Sequence, residues 1–253
     1  MSIHSELKAI KRKIQELDYE RSILIERRRE LIKQLQQESS TKVQLNQSTA
    51  DITTDEKVQI FQNLFIGRDD VYARKVQYGY VPECTNFGQR ELCAKATNKN
   101  IVKCTECPNR QLAKLTPKVL RQHLIGHDTK KRPLVIGLYP LMPGDVCRLL
   151  AVDLDSKDYQ KEALALYNVC ASHDIPIYIE RSRSGNGVHL WIFFSEPVKA
   201  AHARTMGRIL LSETALRLGS NTLTSFDRLF PNQDSMPKGG FGNLIALPYQ
   251  YPA

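Results

Sequence analysis

Residues 147–155 read CRLLAVDLD, and this stretch decides the fold. Its apolar run has the length and the Leu and Val content of a buried strand. Side chains alternate across a strand, so Asp153 and Asp155 at its end share one face. Comparable short runs, PLVIGLYP (133–140), IPIYIERS (175–182), GVHLWIFF (187–194) and NLIALPY (243–249), read as further strands. Between them, residues 157–173 and 198–218 carry helical periodicity, the first with Ala163, Leu166 and Val169 or Cys170 on one face. Strands mixed with two long helices predict an α+β or α/β layer fold with one central sheet. The sequence contains no internal repeat.

Two carboxylates side by side repel, and a divalent cation relieves them. Taken alone, an Asp-x-Asp at a strand end reads more readily as two acids facing water, and the same pattern occurs in sugar-nucleotide transferases. Its neighbours here favour a metal. The loop RSRSGNG (181–187) leads into GVHLWIFF and brings His189 onto a strand near Arg183, Ser184 and Asn186. Glycines let backbone amides approach phosphate, and an imidazole can hold its oxygens. Further on, TSFDRLFPNQD (224–234) supplies a third acid, Asp227, and PKGGFGN (237–243) sets Lys238 beside two glycines, again a shape suited to phosphate.

Four of the six cysteines fall within one short stretch. Cys104 and Cys107 form a C-x2-C knuckle, whose spacing brings two thiolates to one tetrahedral ion, and Cys84 and Cys93 lie upstream. Four soft ligands favour Zn2+ in a closed, structural site. His123 and His127 stand one helical turn apart in RQHLIGHD, and His123 could replace Cys84 as the fourth ligand, although helix surface or capping suits most such pairs better. Cys147 and Cys170 sit in apolar surroundings as bystander thiols. Residues 101–133 carry eight Lys or Arg against Glu106 and Asp128, a plausible nucleic-acid surface.

The formal charge of +9 over 253 residues points to a polyanionic partner without separating nucleic acid from an acidic membrane surface. The start, MSIHSELKAIKRKI, has no apolar core of a signal peptide, and no run is long enough to span a bilayer, so the chain reads as cytoplasmic with no membrane partner. Ile3, Leu7, Ile10, Ile14, Leu17, Leu24, Leu31 and Leu35 follow steps of three and four, the seam of a coiled coil. Arg21 and Arg28 fill two inward positions, which argues against a long, tight parallel dimer. Self-association or partner docking through residues 3–35 stands beside a plain solvated helix as a reading. The expected organisation is a helix over 1–37, a polar linker over 38–57, a cysteine-bearing lobe over 58–132 and a catalytic core over 133–253.

Together, VDLD (152–155), SGNGVH (184–189) and SFD (225–227) resemble the three motifs of the archaeo-eukaryotic primase superfamily: an acid-x-acid strand, a Ser-x-His-like loop and strand, and a later apolar-Asp. The resemblance is closest to the primase-polymerase modules of TOTE conflict systems. It extends through GYVPEC, LCAK, KCTEC, HLIGHD, RSRSGNGVHLWIFFSEPV and FPNQDSMPKGGFGNLIALPYQ, most of residues 58–250. It implies an RNA-recognition-like catalytic sheet with flanking helices and a zinc-binding insert at Cys84, Cys93, Cys104 and Cys107. It further implies that Asp153, Asp155 and Asp227 hold Mg2+ or Mn2+, with His189 on the phosphates of the incoming nucleotide. Ser184 and Asn186 would share that nucleotide pocket, and Arg183 and Lys238 are additional candidates for the triphosphate. One departure is the spacing from Ser184 to His189, one residue shorter than in the replicative primases and the bacterial end-joining polymerases.

The resulting expectation is a DNA primase-polymerase that takes nucleoside triphosphates, a single-stranded DNA template and a primer. A helicase in cis or in trans is the implied partner, because TOTE proteins continue into one where this chain ends. Two other readings compete: a zinc-containing nucleic-acid-binding module without catalysis, and a metal-dependent nuclease.

Overall fold

A computed structural model describes residues 3–42, 52–97, 103, 104, 106–183 and 185–250. The chain forms two units, residues 1–52 and 53–253. The first contains helix α1 (Ile3–Lys42), laced by exposed pairs one turn apart: Arg12 with Glu16 at 3.6 Å, Lys13 with Glu16 at 3.3 Å and Arg27 with Glu30 at 3.0 Å. Such pairs suit a solvated helix and contribute a few tenths of a kcal/mol each, roughly. The helix runs on to Lys42, and residues 43–51 of the expected linker lie outside the described residues.

The second unit contains, in chain order, α2 (Thr54–Leu64), β1 (Ala73–Val76), β2 (Gly79–Pro82), α3 (Ala94–Thr97), α4 (Pro117–Leu124), β3 (Ile136–Leu138), β4 (Val146–Asp155), α5 (Tyr159–Ser172), β5 (Tyr178–Arg181), β6 (Gly187–Lys199), α6 (Ala200–Arg217), β7 (Phe226–Phe230) and β8 (Ile245–Ala246). Residues 53–57, read from sequence as the end of a linker, open α2. Thr53 Oγ1 accepts from the Glu56 amide, and the Glu56 carboxylate accepts from the Thr53 amide, a reciprocal cap.

The expectation of one central sheet needs correction. The described residues form two four-stranded sheets, ordered β2-β1-β3-β8 and β5-β6-β4-β7. The β1–β2 hairpin offers β3 an antiparallel edge, and β8 closes the other side of β3, so neither β3 nor β8 joins the sheet of β4. Every ladder is antiparallel, which makes the fold α+β rather than α/β.

β4 is the divider between two cores. Its Leu150, Val152 and Leu154 pack with Ala163, Leu166 and Val169 of α5 and with Ala203 and Leu210 of α6. Its Leu149 and Ala151, on the opposite face, pack with Trp191, Phe65, Leu134 and Ile136. Burial of each such Leu or Ile stabilises the fold by about 1.5–3 kcal/mol before entropy is counted. With both faces covered along most of its length, β4 ends in a half-buried Asp153 and an exposed Asp155, where the second core stops. No helix among the described residues is long and apolar enough to cross a membrane.

Candidate active site

Asp153 and Asp155 extend from β4 on the face that Leu149 and Ala151 occupy deeper in the sheet. On one side β6 runs antiparallel, with His189 opposite Asp153 and Gly187 opposite Asp155. On the other side β7 pairs Val152 with Leu229 and Asp153 with Arg228, and then Leu154 with Phe226. One step along β4 thus matches two along β7, and Asp227 is the extra residue of a bulge. In strict alternation Asp227 would follow Leu229 toward the helices. The bulge re-aims it, so that one carboxylate oxygen from each of Asp153, Asp155 and Asp227 lies within 4.8 Å of the others.

The approach to β7 is held by a residue that sequence reasoning did not single out. Glu162, on α5 and only 6% exposed, accepts from the backbone amides of Thr224 (2.8 Å) and Ser225 (2.9 Å) and from both hydroxyls. The Ser225 carbonyl in turn accepts from the Asp155 amide at 2.7 Å. Glu162 therefore fixes the strand turn that delivers Asp227. The available signal was an acid on the apolar face of an amphipathic helix, one turn before Leu166.

Glu180 was missed as well. It stands opposite His189 across the β5–β6 ladder, and its Oε2 accepts from His189 Nδ1 (2.9 Å) and from the Trp191 indole (3.0 Å). A carboxylate at Nδ1 fixes the tautomer and turns Nε2 toward Asp153, whose Oδ1 is 3.7 Å away. Burial disfavours the imidazolium, but the Glu180 hydrogen bond and charge, with Asp153 and Asp155 beyond, outweigh it and raise the His189 pKa.

Asp153 feels the opposite pressure. Burial, with Asp155 and Asp227 adding like charge, pushes its carboxyl up to about 6 against the pull of His189 and Arg228. Its Oδ1 is buried without a hydrogen-bond partner. An orphaned carboxylate oxygen beside two more acids is the electrostatic setting that a hard divalent cation satisfies. Arg228 forms an ion pair with Asp227 at 2.7 Å and partly balances the cluster from its exposed side.

The remaining candidates are more dispersed. Ser184 lies outside the described residues. Asn186 and Arg183 are exposed in the loop before β6, where Arg183 hydrogen-bonds Tyr80. Arg181 donates to the Gly185 carbonyl at 3.2 Å and braces that loop, with Gly185 at φ 78°. Lys238 is exposed in a turn closed by the Gly240 amide on the Pro237 carbonyl at 2.9 Å. Arg110 reaches that turn through the Gly239 carbonyl at 3.4 Å, so the turn is tied to the cysteine segment.

All four cysteines, Cys84, Cys93, Cys104 and Cys107, line one pocket with Phe87 and Leu92. Their sulfurs are less tightly gathered than the acids: among the described residues, the aspartates alone form a group of three or more ligand atoms within 4.8 Å. The Gln111 amide donates to Cys84 Sγ at 3.3 Å, and the Gly88 amide is the main cause that lowers the Cys93 thiol pKa. His123 takes no part in this pocket. It is 0% exposed, its Nδ1 accepts from the Ile136 amide at 3.3 Å, and its Nε2 donates to the Pro248 carbonyl at 2.9 Å. With both ring nitrogens engaged, the alternative of His123 as a zinc ligand is set aside.

A family model described as the TOTE conflict system, Archaeo-Eukaryotic Primase domain, matches residues 56–253. No curated protein matches the chain.

Proposed function

The chain belongs to the archaeo-eukaryotic primase family of TOTE conflict systems, a family of primase/polymerase-type nucleotidyltransferases, and from that premise we propose that it is a DNA primase-polymerase. It adds nucleotides to a 3′-hydroxyl under the direction of a single-stranded DNA template, and the same chemistry serves to initiate primers. The observation that carries this reading is the convergence of Asp153, Asp155 and Asp227 around the orphaned Asp153 Oδ1, with His189 Nε2 alongside at 3.7 Å.

Asp153, Asp155 and Asp227 are the residues that would hold Mg2+ or Mn2+. Such ions, when bound, lower the pKa of the attacking hydroxyl and neutralise charge on the triphosphate. His189, whose pKa the Glu180 hydrogen bond and charge raise against the cost of burial, is placed to donate from Nε2 to a phosphate oxygen of the incoming nucleotide. The loop 182–186, with Arg183, Ser184 and Asn186, and the turn bearing Lys238 supply further donors for phosphate and sugar. A triphosphate carrying metal needs acids and cations in close company, which this face supplies and a plain water-exposed strand end does not.

Cys84, Cys93, Cys104 and Cys107 are assigned to a structural Zn2+. Their shared pocket supports this, as do the backbone amides directed at Cys84 and Cys93, since N–H donors favour thiolates. The Lys and Arg residues of 101–133 then border the path of the template strand.

The deciding experiment follows a labelled primer on a single-stranded template with nucleotides and Mg2+ or Mn2+. Wild type lengthens the primer, and the Asp153→Ala, Asp155→Ala double variant does not. Undiminished extension by that variant defeats the assignment, and metal-dependent shortening of the strand in its place would favour a nuclease.

A further inference from the structure

Four charged or ionisable residues stand in one row across the sheet β5-β6-β4-β7. The ladders pair Glu180 with His189, His189 with Asp153 and Asp153 with Arg228, so each strand contributes one. Directly opposed residues of a sheet point to the same face. His189 and Arg228 therefore flank Asp153 with nitrogen donors, on strands about 10 Å apart by the usual interstrand spacing.

The two donors are held differently. The His189 side chain is 12% exposed and fixed by Glu180 at 2.9 Å, whereas that of Arg228 is 47% exposed. Arg228 lies side-on to Asp227, with Nε donating to Oδ2 at 2.7 Å and Nη2 to Oδ1 at 3.3 Å. It thereby engages both oxygens of an acid assigned to the metal. A divalent ion on Asp227 would set like charge beside the guanidinium, which cannot shed its proton. An anion between the two resolves the conflict, and the planar fork of an arginine matches a pair of phosphate oxygens.

Resting on the polymerase reading of this site, we propose that Arg228 is a primer-binding residue: it occupies Asp227 in the metal-free site and turns, once metal is bound, to the phosphodiester next to the primer's 3′-hydroxyl. In an in-line displacement the attacking and leaving oxygens lie on opposite sides of the reacting phosphorus. With the leaving phosphates on the side of His189, the attacking strand arrives over β7. That side is the open one: the Asp227 side chain is 41% exposed and that of Asp153 is 13% exposed. A small nucleotide fits a closed pocket, but a polymer strand needs an open edge.

The test uses the full chain and a primer-template whose last phosphodiester is replaced by an uncharged methylphosphonate, with binding followed by fluorescence anisotropy in Mn2+ without nucleotide. Wild type should bind this duplex about tenfold more weakly than the natural one, and Arg228→Gln should bind both alike. Arg228→Lys, which keeps the charge without the fork, should show part of the wild-type discrimination. In primer extension, Arg228→Gln should raise the KM for primer about tenfold and leave the KM for nucleotide in place. Without nucleic acid, Arg228→Gln should bind Mn2+ about threefold more tightly by electron paramagnetic resonance, because an exposed competing charge is gone. An equal methylphosphonate penalty in wild type and Arg228→Gln overturns the proposal, as does unchanged Mn2+ affinity or a rise in the KM for nucleotide in place of primer. The binding arm needs no turnover. A wild type that discriminates the methylphosphonate but extends nothing would defeat the polymerase reading and leave the Arg228 contact, whereas extension without discrimination would defeat the contact alone.

Discussion

The Asp155 carboxylate lies against the backbone of Gly187, so close that a Cβ at position 187 would come within 1.9 Å of Oδ1 and 2.5 Å of the Leu154 carbonyl oxygen. The glycine thus serves the acid directly: the Asp155 carboxylate occupies the space that a side chain at 187 would take. Gly187→Ala must displace that carboxylate or spread β4 from β6. A loss of roughly 1–3 kcal/mol is expected in chemical denaturation, the cost of overpacking. Mn2+ affinity should fall by at least about tenfold, a change of some 1.4 kcal/mol; titration followed by electron paramagnetic resonance measures it. Unchanged Mn2+ affinity would show that Asp155 is not a ligand.

Glu180 acts through His189. Glu180→Ala leaves Nδ1 and the Trp191 indole without their shared acceptor and frees the ring to turn or to change tautomer. Primer extension is expected to drop about 10- to 100-fold, the usual effect of removing the group that orients a functional imidazole. Glu180→Gln keeps an acceptor and should recover part of that activity. The nitrogen-15 shifts of the His189 ring separate the two explanations: loss of the Nδ1–H signature in the Ala variant identifies positioning, and an unaltered ring spectrum rules it out.

Glu162 should link stability to acid pH. Burial opposes its ionisation, but the amides and hydroxyls of Ser225 and Thr224 outweigh that and hold the carboxyl below its usual 4.5. A carboxyl lowered in the folded state contributes stability that is complete above the unfolded value and lost as pH falls through the folded one. The stability gap between wild type and Glu162→Gln should therefore be constant near neutrality and narrow once pH drops below about 4.5. Glu162→Ala, which strands buried donors, should cost roughly 3 kcal/mol and reduce extension by misplacing Asp227. Urea unfolding at several pH values measures both effects, and a gap that widens toward low pH would contradict them.

The cysteine assignment predicts close to one equivalent of zinc per chain by elemental analysis. Cys104→Ser with Cys107→Ser should abolish it, while His123→Gln should leave it intact. A chelator should lower the melting temperature of wild type and not that of the double serine variant. Zinc retained by the double variant would place the metal elsewhere.

The strand pair that carries the acids was legible because β4 and β6 announce themselves as uninterrupted apolar runs, and the period of two assigns Asp153 and Asp155 to one face without further information. α5 and α6 were legible from their spacing to within two residues at each end. The short strands β1, β2 and β7 were not. ARKV and FDRLF carry too few apolar residues to signal a strand, and they are held by the ladders they join. The capping pair Thr53 and Glu56 was present in TTDE but was hidden inside a polar stretch. Glu162 and Glu180 could not be assigned from sequence, because their partners come from other elements. Asp227 was read as a third acid and lies beside the other two, yet strict alternation would have turned it the other way.

Asp227 reaches the cluster because β7 holds one residue more than β4 can match, so its aim depends on chain length as much as on side-chain chemistry. Deleting Phe226 would restore a straight ladder, retain every acidic side chain, and pair Asp227 with Leu154 so that the third acid points into the apolar core beneath the helices. Insertions and deletions at this spot should therefore be far less tolerated than most single substitutions around it.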